Sequence, residues 1–150
     1  MNKFVVLLLF LIAFKDYNLA SEKKDSYTFI PNTIPHLLQN ELEKSILRGG
    51  DIYMDFCRRC HRSKGQGSGK KYPPLAESDF LMNYRTQSIR IVKYGQQEEI
   101  IVNGKTYDKM MEPLGLEDDE IADVMNYIMN SWDNTQDNMV TPEEVAAVEK

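Results

Sequence analysis

Cys57-Arg58-Arg59-Cys60-His61 decides how the rest of this 150-residue chain is read. It holds both of the chain's cysteines. The C-x-x-C-H pattern is an attachment signature for covalently bound haem. Two thiols three positions apart reach the two vinyl groups of one porphyrin, and the histidine that follows is placed to put a ring nitrogen on the iron. Other uses of the pentapeptide fit less well. A structural zinc site takes four ligands, usually two such pairs, and here one pair is accompanied by one further histidine, His36. A redox-active C-x-x-C of the thioredoxin kind follows a strand in a βαβ pattern, and no such pattern precedes Cys57.

Working outward, Leu42, Ile46, Gly49, Tyr53 and Cys57 recur at intervals of three or four. That spacing predicts a helix from about Glu41 that ends in the motif and delivers both thiols from its last turn. Gly49 on that face leaves room for another helix to cross closely. Residues 64–72 are rich in Gly and Lys and read as a loop. A short helical stretch is predicted over 78–94. Ile100-Ile101-Val102 and Lys105-Thr106-Tyr107 flank Asn103-Gly104, the strongest short-range hairpin signal, so a very small two-stranded turn is expected there. The last long helix is predicted over 118–131, with Ile121, Val124, Ile128 and Trp132 on its apolar face and acids in its first turn, where they suit the helix dipole. Thr141-Pro142-Glu143-Glu144 combines a capping residue, a proline at the first helical position and a Glu three after the cap. It predicts a C-terminal helix over 142–149. The fold class is all-α with one hairpin.

Residues 1–20 read as a signal peptide. Lys3 precedes an apolar run over 4–14, and Ala20 is the expected cleavage position. The run is shorter than the roughly 20 residues a membrane-spanning helix needs. An uncleaved anchor is the alternative, and only in that case is a membrane a partner. The expected location is therefore exported and periplasmic, soluble or loosely membrane-associated. Residues 21–40 form a lead-in broken by Pro31 and Pro35, either packed through Tyr27, Phe29, Ile30 and Ile34 or partly ordered. The haem domain is expected over 41–132, with a tail and short helix over 133–150.

The formal net charge is −5, and removing residues 1–20 makes it one unit more negative, which argues against nucleic acid as a partner. Arg58, Arg59, Arg62, Lys64, Lys70 and Lys71 lie in one stretch with no acid, bordering the motif. This run is expected to steer docking onto an acidic partner; the resemblance described below implies that such partners are redox proteins, a dehydrogenase, reductase or terminal oxidase. The alternative is a solvated loop.

If His61 fills one axial position, the other defines the role. A methionine there raises the reduction potential, because a soft, neutral sulfur favours ferrous iron. Met110 and Met111 sit together between the hairpin and the last helix, and position alone leaves both open. Met54, Met82, Met125 and Met129 fit core packing, Met139 lies in the tail, and His36 precedes the first helix and is a weaker candidate.

Taken together these residues resemble a class I c-type cytochrome of the small bacterial monohaem type, over about residues 45–148. Arg48-Gly49, Tyr53 and Cys57 resemble the family's first helix, whose glycine and aromatic cross the last helix; Val124 and Tyr127 would be their partners. Pro73 resembles the proline whose carbonyl accepts the ligand histidine's other ring N–H, a bond that sets the tautomer and makes the ligand more basic. Leu75 would then pack on the porphyrin edge. Tyr107-Asp108-Lys109-Met110-Met111-Glu112-Pro113-Leu114-Gly115 resembles the methionine loop. Matching Tyr107 and Gly115 assigns the axial ligand to Met111, with Met110 as the alternative. Two positions depart from the family. Glu112 stands where proline is usual, and Glu117 stands at the usual serine cap, a change costing about 0.5–1 kcal/mol.

The resemblance implies a cytochrome c fold: three to five helices wrapped around one haem c held by Cys57 and Cys60, with His61 and Met111 on the iron. The role it implies is a one-electron carrier rather than an enzyme, with no catalytic residue. Three other readings remain. They are a haem c subunit of a periplasmic dehydrogenase, reductase or oxidase complex, a haem enzyme or sensor with a displaceable sixth ligand, and a thiol–disulfide oxidoreductase.

Overall fold

The computed structural model describes residues 33–150, with side chains from residue 40. The expected signal peptide and lead-in residues 21–32 lie outside the described residues. Helix α1 spans Thr33–Ile52, passes without a break into a π-helical turn, Tyr53–Cys57, and ends as α2, Arg58–His61. After a loop come α3 (Asp79–Asn83), α4 (Arg85–Tyr94), strands β1 (Ile100–Val102) and β2 (Lys105–Tyr107), α5 (Asp118–Ile128) and α6 (Pro142–Ala146).

The first helix starts ahead of its expected beginning near Glu41, and Pro35 does not prevent it. Pro35 is the third residue of α1, and first-turn N–H groups have no intrahelical partner, so its missing donor costs no ladder bond. The π turn was not expected. It falls where the chain passes from the helix-crossing face to the haem motif, a common setting for such insertions.

The α1–α5 crossing organises the core. A Cβ added at Gly49 would overlap the Asp123 carbonyl, so the two backbones touch here as the glycine predicted. Around the crossing, Arg48 Nε and Nη2 donate to the Asp123 carboxylate at 2.5 and 2.7 Å, and Ser45 Oγ donates to it at 2.7 Å. The hydrogen bond to Asp123 holds the Arg48 pKa above its usual value, against the opposing effect of burial and with further help from the Asp123 charge. Fully buried Tyr53 stacks between Tyr127 and Trp132, with ring centroids 5.3 and 4.9 Å away.

The expected 78–94 helix is two helices. Ser78 caps the first through Leu81 N–H, and Tyr84, at φ −121° and ψ 56°, breaks the rod. The break turns Arg85 toward the C-terminal segment, where it forks onto Glu144 (2.7 and 2.7 Å) and donates to the carbonyls of Asn138 and Met139. The last long helix ends at Ile128, short of the expected Ser131. At its start the Glu120 carboxylate accepts the Glu117 N–H at 2.9 Å, which compensates in part for the missing serine cap. The hairpin lies where Asn103-Gly104 placed it, pairing Ile100 with Tyr107 and Val102 with Lys105. Asp79 and Asn103 exchange backbone-to-side-chain bonds of 2.9 and 2.7 Å and tie the hairpin to α3.

The tail is not peripheral. Val140, Val145 and Val148 join the same core cluster as Tyr53, Met125 and Ile128. Asn126, 1 % exposed, holds the tail from inside, bonding the Val140 N–H and C=O at 2.7 and 2.9 Å and Ser45 Oγ at 2.8 Å. The α6 helix ends at Ala146, shorter than its expected span. Among the described residues no helix is long and apolar enough to cross a membrane.

Candidate haem site

The walls of one cleft bring together almost every residue singled out from the sequence. Cys57, Cys60, His61, Pro73, Leu75, Tyr107, Met110 and Met111 all line it. Leu81, Ile91, Val92, Val102, Met125 and Ile128 complete its apolar interior. The cleft holds about 300 Å³, at the lower end for a small-molecule site.

The π turn and α2 together present the motif, Cys57 closing the turn and Cys60 and His61 lying in α2. Both thiols are free and half-buried. Burial, and secondarily the Cys60 charge, push the Cys57 thiol up to about 12. His61 is 9 % exposed. Its Nδ1–H donates to the Pro73 carbonyl at 2.9 Å, leaving Nε2 as the free ring nitrogen. Burial lowers the His61 pKa, against the opposing pull of the Pro73 carbonyl, so the ring is neutral and Nε2 carries a lone pair. The loop that delivers Pro73 is fixed by backbone bonds from Gly67 N–H to the His61 carbonyl and from Leu75 N–H to the Gly65 carbonyl. Asn134, a residue the sequence did not flag, donates to the Leu75 and Ile128 carbonyls, both at 2.8 Å.

Met110 and Met111 belong to another stretch of the lining. Here the structure adds Gln96, which is 6 % exposed and was not singled out from the sequence. Its backbone pairs with that of Met111 in both directions, each bond 2.8 Å. Gly95, at φ 83°, brings this about, since a Cβ there would stand 2.6 Å from the Met111 carbonyl oxygen and 3.0 Å from Pro113 Cδ. Pro113, one place later than in the family pattern, thus packs on Gly95, and the Glu112 departure leaves Met111 anchored. Met111 is half-buried, whereas Met110 is 46 % exposed at the mouth. A helix stop at Tyr94-Gly95 just before a polar residue was the available signal for Gln96, but nothing in the sequence pairs it with a residue fifteen positions on.

A porphyrin fits this donor set. Two thiols, a neutral imidazole with one nitrogen free, apolar walls and a thioether in the same lining are what a flat macrocycle with a central iron requires. One further observation points to an occupant: Ser88 Oγ, in the cleft wall, is buried and makes no hydrogen bond.

Outside the cleft, Arg58, Arg59, Arg62, Lys64, Lys70 and Lys71 are all exposed, and none forms an ion pair within the described residues. The first three line a shallow depression with Ser63 and Gln66. His36 falls in α1, and its side chain lies outside the described part.

Comparison with known proteins agrees with this geometry. The chain is 37 % identical over 89 residues to cytochrome c-552 of Thermus thermophilus, an alignment covering 56 % of this chain and 67 % of that protein. It is 28 % identical over 129 residues to the cytochrome c subunit of the quinone alcohol dehydrogenase of Gluconacetobacter polyoxogenes, covering 80 % of this chain and 26 % of the subunit. The corresponding subunit of Gluconobacter oxydans is 26 % identical over 102 residues, 65 % of this chain and 21 % of its own length. The chain therefore spans about a quarter of the dehydrogenase subunits it matches. The family model described as Cytochrome c matches residues 46–132, more than half of the chain. The fold, the haem-binding cleft and this match agree: the chain belongs to the cytochrome c family, whose work is electron transfer through covalently bound haem.

Proposed function

We propose that this protein is a periplasmic one-electron carrier with a single haem c, attached through Cys57 and Cys60 and ligated by His61 and Met111. The bound haem supplies a ferric/ferrous couple. The chain's own residues do the rest. The Pro73 carbonyl orients the imidazole and raises its basicity. The Gln96–Met111 backbone pair presents the thioether. The apolar lining keeps water from the metal and limits reorganisation between the two states. The observation that carries the reading is the placement of His61 and Met111 in one apolar cleft, each held by its own hydrogen-bonded support.

The signal-peptide pattern of residues 1–20 supports export. The exposed basic run beside the thioether edge supports docking onto an acidic redox partner there. A second reading, a haem subunit or module of a larger dehydrogenase complex, is favoured by the match to the quinone alcohol dehydrogenase cytochrome subunits over 80 % of this chain. The experiment that tests ligation is the near-red methionine-to-ferric-iron charge-transfer band. It is expected in the wild type and in Met110→Ala, and absent in Met111→Ala. Loss of the band in Met110→Ala alone would move the ligand to Met110, and its absence from the wild type would open the sixth position. Copurification from the native periplasm or membrane separates the free carrier from the complex subunit.

A further inference from the structure

The segment past residue 132, where the match to the Cytochrome c model ends, is bound to a helix that lines the cleft. Two sets of residues on α4 have different tasks. Ser88, Ile91 and Val92 line the cleft. Arg85, Lys93 and Tyr94 stand outside that lining and hold the tail. Arg85 forks onto Glu144 and donates to the Asn138 and Met139 carbonyls. Lys93 Nζ donates to the Val145 carbonyl at 2.8 Å, and the Tyr94 hydroxyl donates to the Val148 carbonyl at 3.0 Å. Fully buried Ile89, between them, belongs to the same core cluster as Val140, Val145 and Val148. The tail therefore grips α4 from its first residue to its last.

The end of α4 leaves no slack before the methionine loop. Gly95 N–H closes the last turn on the Ile91 carbonyl at 2.9 Å. The next residue, Gln96, exchanges two 2.8 Å backbone bonds with Met111. A Cβ at Gly95 would meet the Met111 carbonyl, so the two stretches of chain touch. A displacement of Met111 pulls on Gln96 and through it on the end of α4, where Lys93 and Tyr94 are tied to the tail. Packed helices and hydrogen-bonded segments of this kind carry coupling between separated sites.

We propose that Arg85, Lys93 and Tyr94 are positioning residues through which the C-terminal tail braces α4 and keeps Met111 in place as the sixth ligand. This rests on the His61/Met111 ligation given under Proposed function. A local opening is limited by the contacts it must break. With the tail docked, opening of the methionine loop strains the tail's grip on α4 as well as the Gln96–Met111 pair. The tail thus serves the iron site in addition to the core it completes.

The test uses the haem-loaded full chain with Arg85→Gln and Tyr94→Phe. Arg48→Gln is the matched control. It too removes a guanidinium fork from a carboxylate, Asp123, but at the α1–α5 crossing and outside the cleft lining. One readout is native-state hydrogen exchange of the Gln96 and Met111 amides, the two donors of the backbone pair. The other is the rate at which the ferrous protein takes up carbon monoxide at neutral pH, which requires the sixth ligand to leave. Both rates are expected to rise about three- to tenfold in Arg85→Gln and in Tyr94→Phe, the change in a local opening equilibrium on losing one hydrogen bond. Both are expected to keep the wild-type value in Arg48→Gln. Tyr94→Phe, which removes a single hydroxyl, decides the question if Arg85→Gln does not load haem. An equal rise in Arg48→Gln marks a general loss of stability and overturns the proposal. Unchanged rates in the tail variants, in a protein whose wild type shows the methionine charge-transfer band, overturn the brace alone. A wild type that lacks the band overturns the ligation reading and the brace with it.

Discussion

Replacing Gly49 with alanine tests the crossing on which the haem motif is mounted. An alanine Cβ would stand 2.5 Å from the Asp123 carbonyl carbon and 2.9 Å from Tyr127 Cβ. Both neighbours are backbone or the root of a side chain, so neither can rotate away. Ordinary contact begins near 3.4 Å, and restoring it requires the helices to part by about 1 Å, an overpacking that costs about 1–3 kcal/mol. The same movement stretches the Arg48 and Ser45 bonds to Asp123, a carboxylate only 11 % exposed. Leaving it under-satisfied costs a further ~1–3 kcal/mol. Alanine's helix propensity returns about 1 kcal/mol. The net expectation is a loss of about 1–5 kcal/mol, a large share of a typical 5–15 kcal/mol stability. Gly50→Ala is the control, because its Cβ meets only the Tyr127 ring, at 3.3 Å. It is expected within about 0.5 kcal/mol of the wild type or slightly more stable. Denaturant unfolding followed by Trp132 fluorescence and far-UV circular dichroism measures both. A Gly49→Ala protein as stable as the wild type, or equal losses in the two variants, would refute the close-crossing argument.

Arg85→Ala removes a fork onto Glu144 and two bonds to tail carbonyls, and is expected to cost about 1–3 kcal/mol in the same unfolding assay. The bond to Arg85 holds the Glu144 pKa below its ordinary value, against a smaller opposing effect of burial. Its contribution is therefore complete above the unfolded carboxyl pKa near 4.3 and is lost as pH falls through the lower folded value. The stability gap between wild type and Glu144→Gln should be constant from pH 7 to about 5 and close below about pH 4. A gap that widens on acidification would contradict the pairing. Val145→Ala, at a fully buried tail position, is expected to cost about 1–3 kcal/mol, the range for removing buried methyl groups; a neutral result would place the tail outside the core. If the basic run steers docking, electron-transfer rates with an acidic partner should fall as ionic strength rises. Arg58→Gln together with Arg62→Gln should flatten that slope, and a slope unchanged by the pair would assign docking elsewhere.

Much of this molecule is decided by local chemistry. The pentapeptide 57–61 carries the haem-attachment signature in the sequence itself, because that signature depends on residue type at fixed spacing. The Asn103-Gly104 hairpin and the Thr141-Pro142 helix start follow from turn and cap rules that act over a few residues. The closeness of α1 and α5 is written in a single missing side chain at Gly49. Other features arise only from contacts between distant segments. The helix that periodicity would have continued is broken at Tyr84, and Arg85 beyond the break pairs with Glu144, 59 positions on. Asn126 and three valines draw the C-terminal segment into the core. Position along the chain left Met110 and Met111 equivalent; the backbone pairing of Gln96 with Met111 around Gly95 is a support that only the tertiary structure reveals. The orphaned Ser88 hydroxyl is likewise invisible without its surroundings, because a hydrogen bond that is not made has no sequence signature. Local rules reach as far as a turn of helix or a tight turn; the walls of the cleft that gather the thiols, the imidazole and the methionines are assembled from residues up to some seventy positions apart.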